Sequence, residues 1–261
     1  MVCCDPKADD AGDGLHGEPR QIAKDRSMTS TRRLYVACVA CLVAGACAGT
    51  PLLRQQCYNP DAQLARLLQP LEALRVKGCN AGVQNGSSEC DRLRREIERL
   101  AVVCPGHAPT LMANAVIAYD EQRPADSQQF LDQILAQPRS YPDAAVLRGR
   151  IAIEEGNVPF ALRLLEQQIR LAPDHSALHE TYAGALYLDG RLPDAKGELT
   201  LAGALGAPRW RIAYHLGLVE EASGRRDEAS RYYSEAVAAN PGFGPAESRL
   251  KALRAAAGTR P

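Results

Sequence analysis

A step of 34 residues constrains this chain more than any other feature of its sequence. Gly156, Gly190 and Gly224 fall on that step, and so do Ala161, Ala195 and Ala229. Three segments in one register begin at Pro142, Ser176 and Trp210, with a weaker copy beginning at Ala108. Within a copy, two runs carry apolar residues at helical spacing, joined by a short turn that bears glycine in the stronger copies. In the last copy Ala213, Leu216 and Gly217 open the first helix and Gly224 sits in the turn. Ala229, Tyr233 and Ala236 then form the stripe of the second helix, and Pro241 closes the unit. Two helices approach to ~8–10 Å only where the side chains at the crossing are short, so the alanine and glycine positions mark crossings. No single pair of helices can bury its own apolar face. Neighbours must stack, and at least ~3 copies are needed.

This pattern resembles the tetratricopeptide consensus of Leu-Gly, Ala, aromatic, Ala and Pro over roughly half the chain. Four departures stand out. Glu220 replaces the usual Tyr, Arg148 replaces Leu, Ser127 replaces Ala in the Ala108 copy, and the closing proline of the Ser176 copy slips to Pro208. The resemblance implies an all-α protein: a right-handed α-solenoid of helix pairs, with four units over 108–243. It also implies that the first helix of each unit lines a concave groove. Carried over position by position, that groove takes Tyr119 from the first unit and Arg150, Ile153 and Glu154 from the second. Tyr187 and Leu188 follow, with Glu180, and then Arg211, Tyr214 and Leu218. Aromatic anchors mixed with charges of both signs suit an extended or helical peptide segment. The alternative is that individual tyrosines pack between neighbouring helices. No position of this set is Lys or Asn, which disfavours the capture of a C-terminal carboxylate known from one branch of the family.

Composition narrows the function classes. Charges balance at 31 basic and 31 acidic residues, and aromatic residues make up 5%. No basic patch alternates with aromatics, so nucleic acid is a poor partner. No nucleophile elbow, zinc-protease, P-loop or dinucleotide fingerprint is present. His175, His179 and His215 are scattered over two repeats, and adjacent Glu154 and Glu155 point different ways on a helix. The expectation is therefore a protein that is not an enzyme and uses no cofactor or metal.

The N-terminal region reads as an address. Residues 1–27 are polar and aperiodic, and are expected to be a disordered extension or a mis-assigned start, with translation beginning at Met28. From there Arg32 and Arg33 precede an apolar run, Leu34 to Ala46, giving a signal peptide over 28–46. The run is short of the ~20 apolar residues that span a bilayer. Val43-Ala44-Gly45-Ala46-Cys47 resembles the lipobox of bacterial lipoproteins. That resemblance implies cleavage before Cys47, acylation of its sulfur and new amine, and, with Ala48 next, an outer-membrane destination facing the periplasm. A plain secretory signal is the alternative. Cys38 and Cys41 fall in the discarded segment, and 47–56 reads as a linker.

Four cysteines remain: Cys57, Cys79, Cys90 and Cys104. An even count in an exported chain argues for disulfides. Metal binding is the rival, weakened by the lack of any C-x₂-C pair and by a single nearby histidine, His107. Cys90, Leu93, Ile97, Leu100 and Cys104 share one helical stripe, matched by Leu64, Leu67, Leu68, Leu71 and Leu74. An antiparallel hairpin over 57–107 then pairs Cys79 with Cys90 at the turn and Cys57 with Cys104 at the open end. A first helix starting near Asp61 and broken at Pro70 would even out the two arms. The hairpin caps the array at one end, and an amphipathic helix from Pro245 to Ala257, within 244–261, caps the other. Taken together, these features lead us to expect a scaffold lipoprotein of the cell envelope that binds a partner protein. Its size and layout are similar to lipoproteins that help pilus secretin rings assemble and to adaptors for murein hydrolases. The alternative from another class is an enzyme or cell-wall-binding protein using the cysteine hairpin.

Overall fold

The computed structural model describes residues 57–77 and 88–258, all within the unit Leu53–Pro261. Among them are eleven helices and no strand. They are α1 (Pro60–Lys77), α2 (Glu89–Val103), α3 (Ala108–Asp120), α4 (Pro124–Leu135), α5 (Pro142–Glu154) and α6 (Val158–Leu171). Then come α7 (Ser176–Leu188), α8 (Leu192–Ala204), α9 (Arg209–Ala222), α10 (Arg226–Ala239) and α11 (Gly244–Gly258). Cys47, Cys79, the lipobox and the segments 1–27 and 28–46 lie outside the described residues.

Local chemistry starts these helices where they start. Proline occupies the first turn of α3, α4, α5, α6 and α8, where its missing N–H costs no intrahelical bond. Ser88 and Asp91 close a reciprocal capping box on α2. Between the helices of three successive units, Gly156, Gly190 and Gly224 take left-handed backbone with φ near +75°, +78° and +77°. Gln122 holds the equivalent place in the first unit at φ +59°, a conformation that costs a side chain with a β-carbon roughly 1–2 kcal/mol. The weakest copy of the repeat thus forms the same turn without the glycine that would relax it.

Side-chain volumes are traded within each helix pair. Gly149 faces Leu165, which would have to give way slightly to a β-carbon, and Gly217 faces Tyr233, which leaves no room for one. The same step carries Ala115 and Ala183, both fully buried, in units whose second helices present Leu131 and Leu199. The departures from consensus also find partners. Arg148 lies 4.4 Å over the Phe160 ring and pairs with Asp132 at 2.9 Å. Ser127 donates its hydroxyl to the Ala115 carbonyl at 2.8 Å inside the core. Glu220 is wholly buried and is held by Lys196 Nζ at 2.7 Å and by Arg225. Burial alone would raise its carboxyl, but these two cations hold it below the usual carboxylate range.

The N-terminal hairpin forms from α1 and α2 and stacks on α3 through Leu64, Leu71, Leu93, Ile97, Leu100 and Ile117. Cys57 and Cys104 are joined across its open end with Cα atoms 5.3 Å apart. Cys90 is also disulfide-bonded. Two details correct the sequence reading. Helix α1 runs without a break through Pro70. Leu68 is 37% exposed, because the α1 stripe is narrow and Leu64, Leu67, Leu71 and Leu74 already fill it. At the far end, Ala246, Leu250 and Leu253 of α11 cover Ala213, Ala229, Tyr233 and Ala236.

Candidate partner groove

First helices of successive units touch one another directly, α5 with α7 and α7 with α9, whereas each second helix packs mainly on the first helix of its own unit and, less extensively, on the first helix that follows it. Side-by-side first helices form one continuous surface. In that surface lies an apolar pocket of about 230 Å³ spanning three units. Ile153 of α5 borders it on one side, His215 and Leu218 of α9 on the other, and Gly184, Tyr187 and Leu188 of α7 lie between.

The residues expected in the groove divide into four groups. Ile153, Tyr187, Leu188 and Leu218 come together around the pocket, with Leu188 52% exposed. Arg150 and Glu154 share α5 with Ile153 but do not line the pocket, and Tyr119 reaches them from α3, one unit earlier. The Tyr119 hydroxyl donates to Glu154 Oε1 at 2.6 Å, and burial together with that carboxylate raises the phenol above its ordinary value. Arg211 sits against Glu180, Nε to Oε1 at 2.6 Å, and the same oxygen lies 3.3 Å from His215 Nδ1. Glu180 is only 8% exposed. Burial would raise its carboxyl, but His215 and Arg211 hold it below the usual range. Its charge therefore ties α7 to α9 beneath the pocket rim.

Tyr214 takes a different role from the one its position in the repeat implies. Its ring packs edge-on against Phe243 at 5.1 Å and near Tyr233 at 5.9 Å, among the residues that join α9 and α10 to α11. It is packing between helices, and it does not line the pocket. The sequence reading also passed over Gly184 and His215. Gly184 shares the 34-residue step of Arg150 and Leu218, and a glycine on that step was the available signal.

The three histidines of the repeats go to separate partners. His175 meets Asp143, His179 is buried between Glu198 and the Pro173 carbonyl, and His215 meets Glu180. Among the described residues, no group of three or more His, Cys, Asp or Glu side chains is placed to hold a metal ion. No described helix is long and apolar enough to cross a membrane.

No protein-family model matches the chain, and no curated protein matches it. Solved structures do. A thermophilic tetratricopeptide protein of Thermus thermophilus superposes with a TM-score of 0.59 at 18% identity, covering 74% of this chain and 99% of that one. A tetratricopeptide repeat protein of Parabacteroides merdae gives 0.56 at 15% identity over 77% and 78% of the two chains. YrrB, described as a tetratricopeptide protein with an unusual peptide-binding site, gives 0.51 at 11% identity over 75% and 99%. The protein is thus an α-solenoid of the tetratricopeptide fold.

Proposed function

We propose that this chain is a non-enzymatic scaffold of the bacterial cell envelope, which holds a segment of a partner protein against its first helices. The observation that carries the reading is the pocket at Ile153, Tyr187, Leu188 and Leu218, open to solvent and built by three repeats at once. Such a site exists only when the units are stacked, as expected for a function that uses the solenoid as a whole. Exposed Leu188 beside a tyrosine provides the apolar and amphipathic contact area that dominates binding energy in protein interfaces. The tether is proposed from the sequence: a basic n-region, an apolar run and Cys47 in lipobox context. Several acyl chains on Cys47 would give lasting attachment, since each buried methylene adds ~0.8 kcal/mol.

Crosslinking in whole cells, read by mass spectrometry, tests the groove. We expect a specific crosslinked partner with the native chain and its loss when Tyr187 and Leu188 are both replaced by Ala. An unchanged crosslink profile in the double variant rules out the groove. The tether has its own readout, the mass of the mature N-terminal peptide: acylated Cys47 supports it, and an unmodified mature terminus removes it.

A further inference from the structure

Gly184 is a helix-interior glycine without a packing reason. Gly149 and Gly217 are each pressed against a neighbouring side chain, at 3.0 and 2.5 Å from where a β-carbon would stand. At Gly184 the only atom within 4 Å of that place is Ile153 Cδ1, at 4.0 Å. A glycine in mid-helix is conformationally unfavourable compared with alanine, so the chain gives up local stability at this site for no gain in packing. What the missing side chain leaves is the floor of the pocket of about 230 Å³. An apolar cavity of ~150 Å³ already holds a benzene-sized group. This one has room for the side chain of a Phe, Leu or Met.

Charge defines the other half of the occupant. Glu154 and Glu155 follow pocket residue Ile153 at the C-terminal end of α5, and Asp189 follows Leu188 at that of α7. Among the described residues none of the three has an Arg, Lys or His at ion-pair distance: Glu154 accepts from Tyr119, and Glu155 from Gln128. Neither helix has a basic residue in its last turn. Arg191 acts on Asp189 from beyond ion-pair distance, and Arg150 lies beside the Tyr119 hydroxyl that donates to Glu154. Carboxylates at a helix C-terminus oppose the macrodipole, so this edge, with no close ion pair of its own, can accept a further cation.

Building on the groove proposed above, we infer that the pocket over Gly184 takes one bulky apolar side chain of a partner segment, with a Lys or Arg next to it that meets the Glu154, Glu155 and Asp189 edge. Gly184 is then a specificity-determining residue. It keeps the pocket empty, and the acidic edge selects the flanking charge.

The test uses the full chain and fluorescein-labelled nine-residue peptides in a Ser-Ala background, read by anisotropy. The central residue is Leu, Met, Phe or Ala, followed by either Lys-Arg or Glu-Glu. We expect the apolar, basic-flanked peptides to bind at least about tenfold tighter than the Ala-centred or Glu-flanked ones, the scale set by burying one large apolar side chain. Gly184→Leu should abolish that preference while melting at the same or a higher temperature. The triple variant Glu154→Gln, Glu155→Gln, Asp189→Asn should lose the flank preference and keep the apolar one. Equal binding of all peptides, or undiminished binding to Gly184→Leu, overturns the inference. If peptides fail here while the crosslinked partner in cells still depends on Tyr187 and Leu188, the groove stands and only this account of its occupant falls.

Discussion

At Gly217 a single added carbon would stand 2.5 Å from Tyr233 Cε1, and that ring is fully buried and cannot retreat. Gly217→Ala should therefore destabilise by about 1–3 kcal/mol, the usual cost of overpacking, and lower the melting temperature by several degrees. A variant melting no lower than the native chain would mean that the α9–α10 crossing is looser than it looks. The strained turn at Gln122 predicts the opposite sign. Gln122→Gly relaxes a left-handed residue and should raise stability by up to about 1 kcal/mol, measurable by denaturant titration, with no gain if the unfolded-state entropy of glycine cancels the relief. Glu180 gives a pH dependence. Its folded carboxyl lies below the ordinary value of 4.5 because His215 and Arg211 hold it charged. A depressed acid stabilises the fold above its unfolded pKa and loses that contribution as pH falls through the folded one. The stability gap between native chain and Glu180→Gln should therefore be widest above about pH 5 and close as the solution is acidified below about pH 4.5. A gap independent of pH would remove the charge from the account.

At the scale of elements, the hairpin and the repeats answer to different forces. The bond between Cys57 and Cys104 closes a loop over a sequence separation of 47 residues, and such a closure stabilises by about 2–4 kcal/mol through the unfolded chain. The repeats contain none of Cys57, Cys79, Cys90 and Cys104 and rest on packing and on ion pairs between helices. Reduction should therefore raise amide exchange in α1 and α2 first, while α7 to α10 keep their protection; uniform loss of protection would mean that the units melt together. Much of this division was legible in the chain. The 34-residue step located the turn glycines and the crossing alanines, and spacings of three and four located the stripe of α2, because helix pairing reads spacing directly. Other features were not legible. Glu220 looked like a simple loss of tyrosine, since its partners are Lys196 on α8 and Arg225 at the cap of α10, which the repeat spacing does not pair with it. Tyr214 looked like a groove anchor because its position on the first helix of its unit was carried over from the resemblance, whereas its surroundings depend on where Phe243 returns after α10. Pocket residue Gly184 was hidden for a related reason: a missing side chain is visible only against the walls that surround it.

Across the whole molecule each unit buries the face that its predecessor leaves open, so the array ends safely only if something covers the last face. Here α11 does so. Ala246 and Leu250 are buried against Ala213, Ala229, Tyr233 and Ala236, and Arg249 pairs with Glu221 at 3.3 Å beside the Tyr233 hydroxyl, which donates to the same carboxylate at 2.6 Å. Ending the chain after Phe243 would strip this cover while leaving every repeat residue in place. The loss of apolar burial by Leu250 and Leu253 alone is about 3 kcal/mol, and it falls on the unit that has no neighbour beyond it. A truncated chain should therefore fray from α10 backwards and self-associate through the uncovered stripe, since terminal units need a polar outer face. The single tryptophan reports the first event, because Trp210 lies 4.8 Å from Phe243 at that end, so its emission should shift to the red well below the main melting transition. Light scattering after size exclusion reports the second. A truncated chain that stays monomeric, with native emission and an unchanged melt, would mean that the last repeat is self-sufficient and that α11 has some purpose other than closing the stack.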